Sequence, residues 1–324
     1  MTISRRQFGK TTLAAGTALF APHLARAQDW PNRPVRFIVP LAAGGGLDFI
    51  ARLAGEYVSR HLGQQVFIEN RTGAGGTIGI DAAIKSPPDG YTFLLTNDNV
   101  ASAPHVLKLN VDFVKDLIPI SLLGRQPQVL AVHPSFEVNS LADMVAAVKK
   151  QPGMGCATSG VGSNQHVLME WFNKVADIKL DHVPYRGAGQ AINDLIAGHV
   201  KVAFLGPTAT LPQAAAGTIK LLAQTGEARS PSMPELPTLI ELGYAGVAME
   251  GWYGAFAPLN TSAAIITRLN AEFNKAMADA ASREALGKTA TDAVTGTPEL
   301  LAKLARADSD KYARIVKEVN IKLS

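Results

Sequence analysis

The chain has 324 residues, 47% hydrophobic and 18% charged, with 31 Lys and Arg against 27 Asp and Glu and a formal net charge of +4. Four of the bases (Arg5, Arg6, Lys10 and Arg26) fall in the first 27 positions, which hold no acid, so the remainder carries 31 − 4 = 27 bases against 27 acids. A neutral chain with no basic run interleaved with aromatics excludes nucleic acid as a partner, and a single cysteine, Cys156, excludes an intramolecular disulfide.

The first 27 residues read as a targeting segment. Ser4-Arg5-Arg6-Gln7-Phe8-Gly9-Lys10 is a twin-arginine pattern, 11–20 is an apolar stretch too short to span a bilayer, and Ala25-Arg26-Ala27 offers a small-x-small cleavage site before Gln28. A signal peptide over 1–27 implies export to the periplasm. With no cysteine at the cleavage site, no lipid anchor is expected. The remaining chain of about 300 residues suits one large or two medium domains.

Val35, Phe37, Ile38 and Val39 form a short β-branched and aromatic run that reads as a buried strand. Gly44-Gly45-Gly46 follows, then Leu47, Ile50, Ala51 and Ala54 at helical spacing. A strand that turns through glycines into a helix leaves unpaired backbone N–H groups at the positive end of the helix dipole, an arrangement suited to an anion. The alternative is a tight turn in which Asp48 stabilises the helix start. After that helix (47–62) come a second strand (66–68), a second glycine loop with Gly73-Ala74-Gly75-Gly76 entering a helix, and a third strand (91–95) ending at Thr96-Asn97-Asp98-Asn99. Alternating strands and helices predict a parallel sheet covered on both faces. A dinucleotide fold shares this outline, with Asp98 as its acid, but Gly73-x-Gly75-x-x-x-Gly79 departs from the fingerprint spacing.

The segment 118–132 is apolar except for Gly124-Arg125-Gln126-Pro127-Gln128, where a first hinge is expected. A helix over 141–149, capped by Ser140, precedes a strand (154–158) that enters Ser159-Gly160-Val161-Gly162-Ser163-Asn164 and an amphipathic helix. This third strand–glycine–helix unit adds the Ser159 and Ser163 hydroxyls to its backbone donors, and reads as the best anion cradle of the chain. Neither serine sits in Gly-x-Ser-x-Gly, so a hydrogen-bonding role is preferred to a nucleophilic one. His166, one turn into the helix, reads as a supporting residue. Tyr185 and Arg186, ending a strand before Gly187, offer a ring, a hydroxyl and a guanidinium to a carboxylate. Helix 190–197, strands 200–206 and 217–225, a proline-marked loop (Pro231, Pro234, Pro237) and the run 250–258 follow. From 263 onward, helical stripes (Leu269, Phe273, Met277; Leu300, Leu304, Tyr312, Val316) are expected to pack on the first sheet. The histidines show no metal-ligand spacing, and no metal or other cofactor is expected.

Taken in order, Val39-Pro40…Ala43-Gly44-Gly45-x-x-Asp48, Glu69-Asn70-Arg71-x-Gly73-Ala74-Gly75-Gly76-x-x-Gly79, Pro88-Asp89-Gly90-Tyr91-Thr92, Gly160-x-Gly162-Ser163-x-x-His166, Val183-Pro184-Tyr185-Arg186-Gly187 and Trp252-x-Gly254-x-x-Ala257-Pro258 resemble the solute receptors of tripartite tricarboxylate transporters, the Bug family. The resemblance spans the mature chain. It implies an α/β fold of the two-domain type II periplasmic binding-protein (Venus-flytrap) kind with two interdomain crossings, 28–127 and 246–324 forming domain 1 and 128–245 domain 2. It implies a non-enzymatic, monomeric receptor that captures a small carboxylate and delivers it to inner-membrane permease subunits. Three turns should converge on the ligand: Leu41, Ala42, Ala43 and Gly44; Thr96, Asn97 and Asp98; Ser159, Gly160, Gly162 and Ser163. Tyr185, Arg186 and Gly187 join them, with Asp48, His166 and Phe204 behind. The chain departs from the family in Leu41, where an aromatic is common, and in Lys201, where an acid is usual. A cleft-facing Asp98 would favour a ligand bearing a cation, such as an amino acid. The alternatives are a receptor that signals to a sensor kinase and a secreted α/β hydrolase or dehydrogenase.

Overall fold

The computed structural model describes residues 30–321; the targeting segment read at 1–27 lies outside them. The chain begins with β1 (Val35–Val39), α1 (Gly46–Leu62), β2 (Val66–Asn70), α2 (Thr77–Ile84), β3 (Thr92–Asn97), α3 (Asn99–Val106) and β4 (Leu117–Pro127). In β1 the two-residue period of a strand sends Val35, Phe37 and Val39 to the face covered by α1 and α8 (Ala263–Ala278), and Ile38 to the opposite face. Both faces are covered, so the strand is apolar except for the half-buried Arg36, which pairs with Glu69 at 3.1 Å. Phe37 meets Phe93 edge-on, with ring centroids 6.1 Å apart.

One residue, Gln128, separates β4 from β5 (Val129–Val132), and with it the chain passes to a second sheet. There follow α4 (Leu141–Lys150), β6 (Met154–Thr158), α5 (Asn164–Ala176), β7 (Leu180–Pro184), α6 (Ala188–Ile196), β8 (Val202–Leu205), α7 (Pro207–Ala215) and β9 (Lys220–Gln224). The Ser140 side chain caps α4 by accepting from Asp143 N at 3.1 Å, as expected. The chain returns through β10 (Glu250–Pro258) and ends in α8, α9 (Ala280–Gly287), β11 (Asp292–Ala293) and α10 (Pro298–Val319).

The first sheet has the order β11-β4-β10-β3-β1-β2, the second β7-β6-β8-β5-β9. Strands β1, β2 and β3 are parallel, while β10 runs antiparallel between β3 and β4. The two crossings are tied to each other. Gln128 N donates to Thr225 Oγ1 at 2.8 Å, Thr225 N to Gln128 O at 3.0 Å, and Thr225 Oγ1 to Met249 O at 2.5 Å. Gly124 to Pro127, read as the hinge itself, belong instead to β4 and pair with β10; the break falls at Gln128.

The C-terminal stripe differs from expectation. Leu301 and Ala305 of α10 pack on the first sheet, with Leu304 against them, whereas Tyr312 and Ile315 join the core beneath the second, where Val316 packs on it. At 1.5 Å per residue, the 22 residues of α10 reach ~33 Å, more than one sheet covers, so its far half overhangs the neighbouring lobe.

Candidate functional site

The two lobes meet over a polar cavity of about 40 Å³. Its walls come from all three expected turns (Leu41 and Ala42; Asn97 and Asp98; Ser159), from the start of α1 (Gly45, Gly46, Leu47), and from the crossings, which supply Gln126, Gln128, Gly251, Trp252 and Tyr253. Asn164 and Gln165 of α5 close it. A much larger open groove, about 1140 Å³, runs from Thr72–Gly76 past His166 and Glu170 to His182, Tyr185 and Arg186. Leu41 and Ser159 line both, so the groove ends at the cavity wall.

Glycines bring the lobes this close. Ala42 N donates across the interface to Arg186 O at 3.1 Å. Gly187, at φ +153°, lies against Ala42, and a Cβ at Gly189 would sit 2.7 Å from the Ala43 carbonyl oxygen. On the other side, Ser102 Oγ donates to Gly162 O at 2.5 Å, and Gly162 (φ +82°) packs on the Ala103 backbone. Ala43, Gly44 and Gly187 thus form the contact between the lobes and are not among the cavity-lining residues.

Helix α1 has Gly45 at its N-cap and no side-chain cap, which leaves first-turn N–H groups at the cavity wall. Asp48 stands just behind. Its carboxylate accepts from Gly44 N at 3.3 Å, from Arg52 Nη2 at 2.9 Å and from Asn70 Nδ2 at 3.0 Å. Burial works to raise its pKa, but these hydrogen bonds and the Arg52 charge prevail and hold it below the ordinary value. Asp48 therefore shapes the turn as an anion.

The turn Ser159–Ser163 departs from the expected cradle because both of its hydroxyls and all of its backbone donors but Val161 N are already used. Ser159 N donates to Gln165 Oε1 (3.1 Å), Gly160 N to Thr158 Oγ1 (3.2 Å), Gly162 N to His166 Nδ1 (3.3 Å) and Ser163 N to Gly160 O (3.2 Å). The Ser159 hydroxyl donates to Gln165 Oε1, and the Ser163 hydroxyl donates to Gly160 O at 2.7 Å while capping α5 through His166 N. A serine at a helix start satisfies its own helix first.

His166 supports this turn. Its ring stacks on His182 with centroids 3.7 Å apart, and burial pushes its pKa down to about 4 and that of His182 to about 3. Tyr185 gives its hydroxyl to Asp194 at 2.6 Å and, with Arg186, faces the groove instead of the cavity. Thr96 is buried behind the wall, its hydroxyl on Asn97 O. Phe204 lies in the apolar core under the second sheet, edge-on to Phe172.

Residues that sequence reasoning passed over make much of the wall. Gln165 Nε2 donates to Gln128 Oε1 at 2.7 Å, and Gln126 Nε2 to the Tyr253 hydroxyl. Asp98 is fully buried, with Oδ2 accepting from the Tyr312 hydroxyl at 2.5 Å. Among the described residues, no group of three or more His, Cys, Asp or Glu is placed to hold a metal ion.

Two α/β lobes joined by two crossings and closed over a small polar cavity define a solute-binding protein of the periplasmic type. The model of the tripartite tricarboxylate transporter family receptor matches residues 50–321, and the chain belongs to that family, a family of solute-binding proteins rather than enzymes. Protein BugT of Bordetella pertussis (strain Tohama I) is 34% identical over 304 residues, 92% of this chain and 92% of that protein. Among solved structures, an R. palustris protein with adipate (Rpa4515) is 29% identical with a TM-score of 0.87, covering 90% of this chain and 99% of that one. MatC of Rhodopseudomonas palustris with bound malate is 28% identical with a TM-score of 0.85, covering 88% and 99%. Among the described residues no helix is long and apolar enough to cross a membrane.

Proposed function

We propose that the mature chain, beginning near Gln28, is a monomeric, non-catalytic periplasmic receptor that closes on a small carboxylate and presents it to inner-membrane permease subunits. Residues 28–127 with 246–324 form one lobe and 128–245 the other, and the far half of α10 makes a third link between them. The observation that carries this reading is the cavity itself: it exists only where the lobes meet, and the uncapped start of α1 forms one wall. First-turn N–H groups of Gly46 and Leu47, with the amides of Gln128 and Asn164, hold the carboxylate. Neutral donors suit reversible capture, since hydrogen bonds to a charged acceptor are worth roughly 1.5–3 kcal/mol each, and a few of them offset the cost of closure. Ligands of relatives support the class: adipate and malate are both small dicarboxylates. Tyr185 and Arg186 sit along the groove as the entry route.

A thermal-shift screen of mono-, di- and tricarboxylates against their amides tests this. At 100 times its Kd a ligand adds about 2.7 kcal/mol to the folded state, a rise of roughly 5–10 °C for a protein of this size. Equal shifts from acid and amide would overturn the carboxylate reading. For export, replacing Arg5 and Arg6 by Lys leaves precursor in the cytoplasm; normal export of that variant would remove the twin-arginine route.

A further inference from the structure

Asp98 is the sole charged residue among the described residues that line the cavity. It is completely buried, and no ion pair among the described residues involves it; Lys311, the cation acting on it through space, is held by Asp308 at 2.7 Å. One carboxyl oxygen takes the Tyr312 hydroxyl; the other, Oδ1, has no hydrogen bond of normal geometry, although the Asn164 amide also acts on the carboxyl. The fully enclosed side-chain atoms of cavity-lining residues left without a partner, among the described residues, are Asn97 Oδ1, Asp98 Oδ1 and Asn164 Oδ1. The bare Gly251 backbone leaves space beside them. A Cβ there would lie 2.9 Å from Asn164 Nδ2, 2.8 Å from Gln128 Nε2 and 3.9 Å from Asp98 Oδ1.

Buried acceptors without donors are costly, and a buried charge without a counter-charge more so. A ligand made only of carboxylates would bring further negative charge to Asp98 and further acceptors to these enclosed oxygens. An ammonium group brings the opposite charge and three N–H donors. With a carboxylate at the start of α1 and an ammonium at Asp98, each ligand charge meets an opposite one, the positive end of the helix dipole and the Asp98 carboxylate.

We propose that the ligand is an amino acid, a small carboxylate carrying a protonated amine, and that Asp98 is the residue that selects for the amine. This rests on the receptor reading above, whose failure is separately visible in the test.

Purified mature protein is titrated calorimetrically with matched pairs that differ in the amine: aspartate and succinate, glutamate and glutarate, β-alanine and propionate, γ-aminobutyrate and butyrate. In at least one pair the amino member binds at least 10-fold more tightly. Asp98→Asn, which keeps an acceptor for Tyr312, weakens that ligand at least 10-fold and leaves its deaminated partner unchanged or tighter. Deaminated acids binding as well as amino acids, or an unaffected Asp98→Asn protein, would overturn the role of Asp98 while sparing the receptor reading. If no acid of either kind binds, the receptor reading falls, and this inference with it.

A second measurement needs no variant. Asp98 faces Tyr312, Asp308 and Lys311 of α10, Asn164 of α5 and Tyr253 of β10. Burial holds it up at about 7, and both tyrosines are raised and stay neutral. Near pH 7 the empty site is partly protonated, so an ammonium drives a proton off and a dicarboxylate draws one on. Proton release, read from binding heats in buffers of different ionisation enthalpy, is the expected result; proton uptake would overturn the proposal.

Discussion

Closure can be tested with one methyl group. Gly189 is the second residue of α6, and a Cβ there would lie 2.7 Å from the Ala43 carbonyl oxygen and 3.5 Å from Gly44 Cα, across the lobe interface. The obstructing atoms are backbone, so no side-chain rotation relieves the overlap; the lobes must part, and the Ala42 N to Arg186 O bond of 3.1 Å is lost. Overpacking of this kind costs ~1–3 kcal/mol, which in Gly189→Ala is a loss of roughly 5- to 150-fold in affinity. The fold itself is affected in the other direction, because alanine in a helix is better than glycine by ~0.8–1 kcal/mol. The expected outcome is weaker binding by calorimetry, a larger radius of gyration by X-ray scattering, and a melting temperature that does not fall. Gly287→Ala is the control: it is helical with nothing within 4 Å of its Cβ position, so it leaves affinity alone. A Gly189→Ala protein with unchanged affinity and unchanged radius would refute the claim that these glycines permit closure.

The Thr225 hydroxyl both accepts from Gln128 N and donates to Met249 O, so Thr225→Val leaves two buried backbone groups unpaired. A loss of ~2 kcal/mol lowers the melting temperature by roughly 4–8 °C; Thr225→Ser stays near wild type, and equal melting of the two variants would contradict the clamp. The stacked His166 and His182, pushed by burial to about 4 and about 3, protonate in the unfolded chain first, near 6.5. Their share of stability is whole above pH 6.5 and erodes as pH falls through the folded values. His182→Gln should flatten the fall in the urea midpoint between pH 6.5 and 4, and an unaltered slope would show that the pair titrates as exposed histidines do. The Cys156 thiol is buried and raised to about 12, so a disulfide reagent should label it only as fast as the protein unfolds in urea. Labelling of the native protein at the rate of a free thiol would contradict that burial.

The sheets were legible because their strands are short, mainly apolar runs with glycine a few residues beyond, as at Val35–Val39 and Met154–Thr158. Two helices were not. Helix α3 carries Pro104 and begins at Asn99, directly after Asn97-Asp98, a sequence that reads as a turn; α7 carries Pro207 and Pro212. Pro207 stands in the first turn, where no N–H is missed, while Pro212 and Pro104 are interior positions tolerated against local preference. Of the Ser159–Ser163 turn only Ser159 lines the cavity, and sequence cannot reveal that Gln165 and His166 take up donors of that turn. The amides of Gln126 and Gln128 left a signal: polar residues interrupting an otherwise apolar strand seldom go inside without a purpose. Their number in 118–132 suggested a hinge, and the wall of the site was the other half of that meaning.

The position of β10 bears on the order in which the protein can be made. In the first sheet β4 pairs with β10 on one side and with the two-residue β11 on the other. Residues 117–127 emerge from the ribosome well before either partner, and until 250–258 arrive both β4 and the adjacent edge of β3 present unpaired backbone. The second sheet, from β5 to β9, has all its strands by residue 224 and can assemble earlier. A nascent or truncated chain ending between the two thus carries one formed lobe and one open, adhesive half-sheet. Chaperone engagement should peak over that interval of synthesis and decline once β10 has been inserted.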